Sequence, residues 1–429
     1  MFRLAQFLSR SRHERSRMKL GLHRMHEMLE RLEHPEAAFP SVLIAGTNGK
    51  GSVARMLESV LRAAGHAVGL YTSPHLVRFN ERIQINGREI SDPELEAIFA
   101  DWDRRGWIEA DGEIPLSGGE SLSWFEEATL LAFEAFRRAG VSLAVLEVGI
   151  GGRLDSTNVV EPLVSAITTI GFDHMEVLGT TLAEIAREKA GVMRRGRTTV
   201  VGRVSPEVHE VLCEMALTHG ADLNSKSNHH RHLGLTLGLR GEHQKDNAAV
   251  AIEIVENLSK QGFAVSTEAL RLGLQQVSHP GRLELIPGRP AILLDGAHNA
   301  PAFAAVGDFL RRLSDRPPLT FILAAMKDKD PMAALGLAKE FAEELVITTL
   351  PDNPRSLGLE AWRAWVGQEG MQAHFTSDPG EALRRARQVT RDEGWIVVTG
   401  SLFLVGKMGE LLEKIKFAQS NNRLDVSII

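Results

Sequence analysis

Seven residues, "GTNGKGS" from Gly46 to Ser52, set three glycines, a lysine and a hydroxyl between the apolar run "SVLIA" and the helix-compatible "VARMLESVLRAAG". A strand, a glycine turn and a helix start together cradle phosphate, because backbone N–H groups and the helix N-terminus reach oxygens where no Cβ intrudes. Lys50 adds a point charge, and Ser52 a hydroxyl able to reach Mg²⁺. The strict G-x-x-x-x-G-K-[ST] spacing is not met: Ile44 stands at the first glycine and Gly51 separates Lys50 from Ser52. The residues alone favour nucleotide binding and leave an ordinary glycine-rich β–α turn as the alternative.

Other chemistry-bearing residues follow apolar runs in the same way. Glu147 ends "LAVLE" just before a glycine turn. A buried, unpaired carboxylate is costly there, so a metal partner or a structural ion pair must accompany it. Asp173 and His174 follow "LVSAITTIG", and Thr72 and Ser73 follow "HAVGLY". A histidine so placed is either structural or a ligand. Further on, Asp295 and His298 follow "AILL", and Arg282 in "HPGRLE" is able to reach a phosphate. Ligands of open α/β sheets bind at the carboxyl ends of strands. Two such sheets suggest a cleft between domains.

The elements that must position these residues alternate along the chain. "SVLIAG", "HAVGLYT", "VSLAVLEVG", "LVSAITTIG" and "RTTVVG" lack strict alternation, as expected of strands covered by helices on both faces. "VARMLESVLRAAG" and "EEATLLAFEAFRRAG" read as helices closed by glycine. The Pro- and Gly-dense "SHPGRLELIPGRP" marks a boundary. After it, the strands "AILLDG", "LTFILAAM", "EELVITTL" and "GWIVVTG" alternate with the helices "APAFAAVGDFLRRLS", "PMAALGLAKEFAEE" and "GEALRRARQVTRDE". The pattern is parallel α/β, with a larger domain over 1–280 and a smaller one over 281–429.

The chain has 429 residues, 43% of them hydrophobic and 24% charged, with a formal net charge of −6. That length favours two domains, and that charge gives no global field for nucleic acid or anionic membranes. The single Cys213 forbids an intrachain disulfide and fits a reducing compartment; it reads as a small buried hydrophobe. No apolar run approaches the ~20 residues of a membrane span. The Arg- and Ser-rich start, "MFRLAQFLSRSRHERSRMKLG", has the composition of a transit peptide but reads as a surface helix of a cytoplasmic protein. "MKLGLHRMHEMLERL" continues it as an amphipathic helix. The polar, histidine-bearing "HGADLNSKSNHHRHLG" reads as a solvated loop.

Eight ordered blocks carry a resemblance: "GTNGKGS", "TSPHLVRFNERI", "LEVGIGGRLDSTNVV", "AREKAGV", "GEHQKDNAAVA", "HPGRLE", "LDGAHN" and "TGSLFLVG". Together they resemble the folylpolyglutamate synthases, including the bifunctional dihydrofolate synthases, and more distantly the Mur ligases. The resemblance implies a P-loop parallel-sheet ATPase domain, also folate-binding, followed by a smaller Rossmann-like, glutamate-binding α/β domain. It assigns Asn48, Gly49, Lys50, Gly51 and Ser52 to ATP phosphates, and Asn247, Arg282 and Asp295 to further ATP contacts. Ser73, Glu147 and His174 match magnesium positions, with two ions implied. Phe125, Asp155 and His298 fall to substrate, the first two to its pterin. Lys189 matches a carbamylated lysine; unmodified, it reads as a surface-helix lysine paired with Glu188 or Glu184. Lys50, Glu147, His174 and Lys189 would carry catalysis. Met175 after His174 and Ala300 after Asn299 depart from the family's common residues.

The implied reaction is ATP-driven amide formation through an acyl phosphate, joining L-glutamate to dihydropteroate and to the γ-carboxylate of reduced folates. "LSWFEEATL" and Asp155 favour both activities over extension alone. A Mur-type peptide ligase is the next reading, opposed by "TSPHLVRFNERI" and "LDSTNVV". A P-loop switch is the last, and the chain has no N-K-x-D motif. A cytoplasmic monomer is expected.

Overall fold

Strand β1, Ser41–Ala45, is buried along its whole length, as an apolar run without alternation requires when both faces are covered. A computed structural model describes residues 2–10, 21–225, 234–329 and 331–420. Contacts divide the chain into two compact units, Met1–Gly238 with Gln244–Ser278, and Leu239–His243 with His279–Ile429.

The first unit is built on eight strands: β1, β2 (Val68–Tyr71), β3 (Ile83–Ile85), β4 (Arg88–Glu89), β5 (Leu143–Glu147), β6 (Val164–Ile167), β7 (Thr198–Val201) and β8 (Asp222–Asn224). Their order is β4-β3-β2-β5-β1-β6-β7-β8. All neighbouring pairs are parallel except β2–β3 and β3–β4. Register sets the functional edge: Ile44 pairs with Glu147, Ala45 with Ile167 and Tyr71 with Leu146. The chain therefore leaves β1, β2, β5 and β6 at one level, and the segments carrying Lys50, Ser73, Glu147 and His174 all emerge at that edge.

Helices cover the sheet. The helix Trp124–Ala139 starts from a capping box in which Ser123 accepts from the Glu126 amide, and Gly140 ends it at φ 61. The helix Lys50–Ala63 starts directly from Gly49, at φ 88. The start of the N-terminus forms the surface helix its composition suggested, with only Leu4 and Phe7 buried among its described side chains; residues 11–20 lie outside the described residues. Helix Phe2–Arg10 sends Phe7 into the core, stacked on Trp124 with centroids 5.0 Å apart and rings 10° from parallel. Arg10 makes two hydrogen bonds of 2.7 Å to the buried Glu127, and burial pushes the Glu127 carboxyl up to about 7. The next helix, His23–Arg31, buries Arg24, Met25, Met28 and Leu29. Apolar side chains at helical spacing outweighed the basic residues between them.

The second unit carries β9 (Glu284–Ile286), β10 (Ala291–Leu294), β11 (Leu319–Leu323), β12 (Glu344–Ile347), β13 (His374–Phe375) and β14 (Trp395–Thr399), in the order β13-β12-β11-β14-β10-β9. Only β9 runs antiparallel. It lies inside the stretch that read as a boundary. Cys213 is half-buried on the helix Pro206–His219, its Sγ 3.6 Å from His209 Nδ1. His229, His230 and His232 of the polar loop lie outside the described residues. Among the described residues, no helix is long and apolar enough to cross a membrane.

Candidate active site

The glycine loop is held from below by two threonines. The Thr47 amide donates to Thr169 O at 2.7 Å and the Asn48 amide to Thr169 Oγ1 at 3.0 Å. Thr168 Oγ1 and Thr169 Oγ1 donate back to Asn48 O at 2.7 and 3.1 Å. The run "LVSAITTIG" read as all strand, but β6 stops at Ile167 and its threonines clamp the loop instead. Residue 49 must be glycine: at φ 88, a Cβ would also lie 2.3 Å from Asn247 Oδ1. That approach places Asn247 on the loop. Its Nδ2 donates to Gln244 Oε1 at 2.9 Å, and Gln244 Nε2 lies 3.5 Å from Ser52 Oγ. Gly51 is half-buried on the first helical turn, while Ser52 is buried.

Two lysines converge on one carbonyl. Lys50 Nζ donates to Gly46 O at 3.0 Å and to Thr47 O at 3.2 Å, and Lys189 Nζ donates to Gly46 O at 2.9 Å. Lys189 is buried on the helix Leu182–Ala190. Burial, and next the Lys50 charge, bring its amine down to about 7, with Asp173 and Asp155 opposing. The surface-lysine reading is thus not met: Glu188 pairs with Arg153 at 2.8 Å, and Glu184 closes the capping box of Thr181.

Glu147 is buried at the end of β5, and its Oε2 accepts from the Ser73 amide at 2.9 Å. That bond ties the metal-candidate residues Glu147 and Ser73 together. His174 takes up the left-handed region, at φ 52, ahead of the short helix Met175–Leu178. A non-glycine residue held there carries strain of about 1–3 kcal/mol, which clusters at functional positions. The His174 amide donates to Asp173 Oδ1 at 2.9 Å, and its ring is partly exposed between the exposed Phe172 and Met175. Among the described residues no group of three or more His, Cys, Asp or Glu side chains forms a metal cage.

Phe125 and Asp155 meet across Gly149, where a Cβ would lie 2.5 Å from Phe125 Cζ and 3.2 Å from Asp155 Oδ2. Asp155 accepts from the Ile150 amide at 3.0 Å and from Thr157 N and Oγ1 at 3.0 and 2.5 Å. Burial nonetheless raises its carboxyl above the usual range. The carboxylate holds the glycine turn against which Phe125 packs.

Arg282, Asp295 and His298 belong to the second unit. Asp295 lies just past β10 and accepts from the Leu283 and Ala297 amides, both at 2.8 Å. Burial raises its carboxyl, while the Arg282 charge pulls the other way. His298 Nδ1 lies 2.8 Å from Gly296 O; a carbonyl only accepts, so Nδ1 carries the proton.

Residues 281–402 match the Mur ligase, glutamate ligase domain. The dihydrofolate synthase/folylpolyglutamate synthase of Bacillus subtilis is 33% identical over 419 residues, 92% of this chain and 96% of that relative. Escherichia coli FolC in complex with DHPP and ADP superposes with a TM-score of 0.82 at 30% identity, covering 96% of this chain and 98% of that one. A bifunctional folylpolyglutamate synthase/dihydrofolate synthase with Mn, AMPPNP and L-glutamate bound gives a TM-score of 0.81 at 32% identity, with the same coverage. This similarity runs through both units, and the chain belongs to the dihydrofolate synthase/folylpolyglutamate synthase family of ADP-forming ligases.

Proposed function

We propose that this protein uses ATP to join L-glutamate to dihydropteroate and to the γ-carboxylate of reduced folates, releasing ADP and phosphate. The observation that carries the reading is the shared strand edge, where the glycine loop, Lys50, Lys189 and Glu147 meet. Family relatives with DHPP, ADP, AMPPNP and L-glutamate bound supply the ligand classes.

A carboxylate oxygen of the acceptor attacks the γ-phosphorus of ATP and ADP leaves, giving an acyl phosphate. The amine of glutamate then adds to the acyl carbon, loses a proton, and phosphate departs as the amide forms. Lys50 and the loop amides offset charge on the transferring group. Asn247 and Ser52 complete the nucleotide side with Asn48, Gly49 and Gly51. Arg282 and Asp295 add ATP contacts from the second unit, and His298 a substrate contact. Phe125, braced by the turn that Asp155 holds, offers an aromatic face to the pterin.

Glu147 and Ser73 supply hard oxygens of the kind magnesium takes, one or two from protein and the rest from phosphate and water. His174 would join a second ion. Magnesium bound there would neutralise phosphate charge. The Lys189 amine, about half neutral near pH 7, adds to the carbon of CO₂ and releases a proton, giving a carbamate. This replaces the repulsion between Lys189 and Lys50 by attraction.

The test is ADP release with MgATP and L-glutamate, adding dihydropteroate to one reaction and tetrahydrofolate to another. ADP and glutamylated product in both are expected. Turnover with tetrahydrofolate alone would restrict the enzyme to chain extension, and release of ADP without either acceptor would overturn the ligase reading.

A further inference from the structure

Arg55 lies on the helix Lys50–Ala63, three residues past Ser52, and is half-buried. Its Nε is shielded from solvent and has no hydrogen-bond partner. Among the described residues, its guanidinium makes no hydrogen bond or ion pair. Guanidinium does not lose its proton in proteins, so the Nε donor withdrawn from water without an acceptor carries a standing cost.

The carboxylates around it are engaged elsewhere. Glu58 takes Arg62 at 2.8 Å, and Glu81 accepts from the Leu76, Val77 and Arg78 amides. Glu89 faces Arg78 at 3.7 Å, and Glu147 accepts from the Ser73 amide. Of these four, Glu147 acts most strongly on the Arg55 charge, against the opposing effect of burial. Side chains on a helix tilt toward its N-terminus, here toward the glycine loop. A cation with an unused Nε donor thus stands one turn past Ser52 on the helix that the glycine loop starts, where the Glu147 charge acts on it.

We propose that Arg55 receives an oxyanion of the reaction beside Glu147, pairing its planar fork with two oxygens of the acceptor carboxylate or of the phosphoryl group transferred to it. The inference rests on the ligase reading and adds a residue to it. Both anions offer the same paired oxygens, which guanidinium matches and ammonium does not. A purely structural Arg55 would instead serve only to balance the four glutamates.

The experiment compares wild type, Arg55→Met and Arg55→Lys in full steady-state kinetics, after acceptor-dependent ADP release by wild type has been established. Wild type without that activity would overturn the ligase reading, and this proposal with it. Alongside, equilibrium binding is measured for dihydropteroate and for a pterin lacking its benzoate carboxylate. If Arg55 receives the acceptor carboxylate, Arg55→Met raises the acceptor KM and weakens dihydropteroate by about tenfold or more. The truncated pterin and MgATP then stay within about twofold of wild type. If it receives the phosphoryl group, kcat falls by a similar factor with both binding constants unchanged. Arg55→Lys recovers part of either loss, and stands in for the methionine variant should that fail to fold. Kinetics and binding within twofold of wild type in the folded variants would overturn the proposal. Equal weakening of both pterins alongside a lowered melting temperature would do so too.

Discussion

Two strand edges carry the chemistry-bearing residues, and they spend their charges differently. At the first sheet, Lys50 and Lys189 gather around a glycine loop, and Arg55 lies one turn along the helix that the loop starts. Two ammonium groups share the Gly46 carbonyl, and the guanidinium has no partner among the described residues. At the second sheet, Asp295 accepts two backbone amides and His298 is fixed by a carbonyl. The first edge sets positive charge against positive charge, which an arriving anion or a carbamate on Lys189 relieves. The second is a loop whose polar groups also hold its own backbone. Removing charge from the first should therefore cost chemistry, and removing it from the second should cost stability as well.

The largest effect tests the first half of that contrast. Lys50→Ala should lower kcat by about 10²–10³-fold, the loss typical of one stabilising group at a charged transition state. Its melting temperature should match wild type; a folded, active Lys50→Ala would break the comparison.

Next comes the second edge. Asp295→Ala leaves the Leu283 and Ala297 amides without acceptors, and about 2–3 kcal/mol of stability should be lost in denaturant titrations. A variant that lost nucleotide affinity with full stability would show the two edges to be alike.

A smaller effect sharpens the loop itself. Gly49→Ala forces a Cβ onto Asn247 in a conformation that L-residues avoid, at about 1–3 kcal/mol. Calorimetry should show weaker ADP binding, with a stability loss no larger than that strain.

A pH dependence, spread over several pH units, tests the second lysine at that loop. The Lys189 amine lies near 7 in the folded protein against 10.5 unfolded. Between those values the unfolded chain holds more protons, so stability rises with pH through that window. In CO₂-free buffer, wild type should gain on Lys189→Met as pH climbs from about 7 to 10. With bicarbonate added, mass spectrometry should find one carbamate, at Lys189.

Much of this was legible in the sequence because the parallel strands announce themselves as apolar runs, and the residues following them fall at one edge once register is known. The loop, Glu147, Ser73 and His174 were found that way. The hairpin β3–β4 was missed although "ERIQINGREI" contains Asn86-Gly87, both at positive φ, a strong signal for a tight turn between strands. The N-terminal surface helix was legible, but not what it packs on, because Phe7 and the Arg10–Glu127 pair depend on partners more than a hundred residues away. Lys189 and Arg55 were hardest. A lysine among glutamates reads as a surface helix, and only folding shows one ammonium set beside another and a guanidinium left over.

The central claim is that the first edge passes a phosphoryl group to a carboxylate, and oxygen transfer tests it most directly. An acceptor labelled with heavy oxygen in its carboxylate is turned over with MgATP and L-glutamate, and the released phosphate is weighed. One labelled oxygen per phosphate is predicted, since the attacking carboxylate oxygen leaves with phosphorus when the amide forms. Unlabelled phosphate alongside full amide formation would contradict the account.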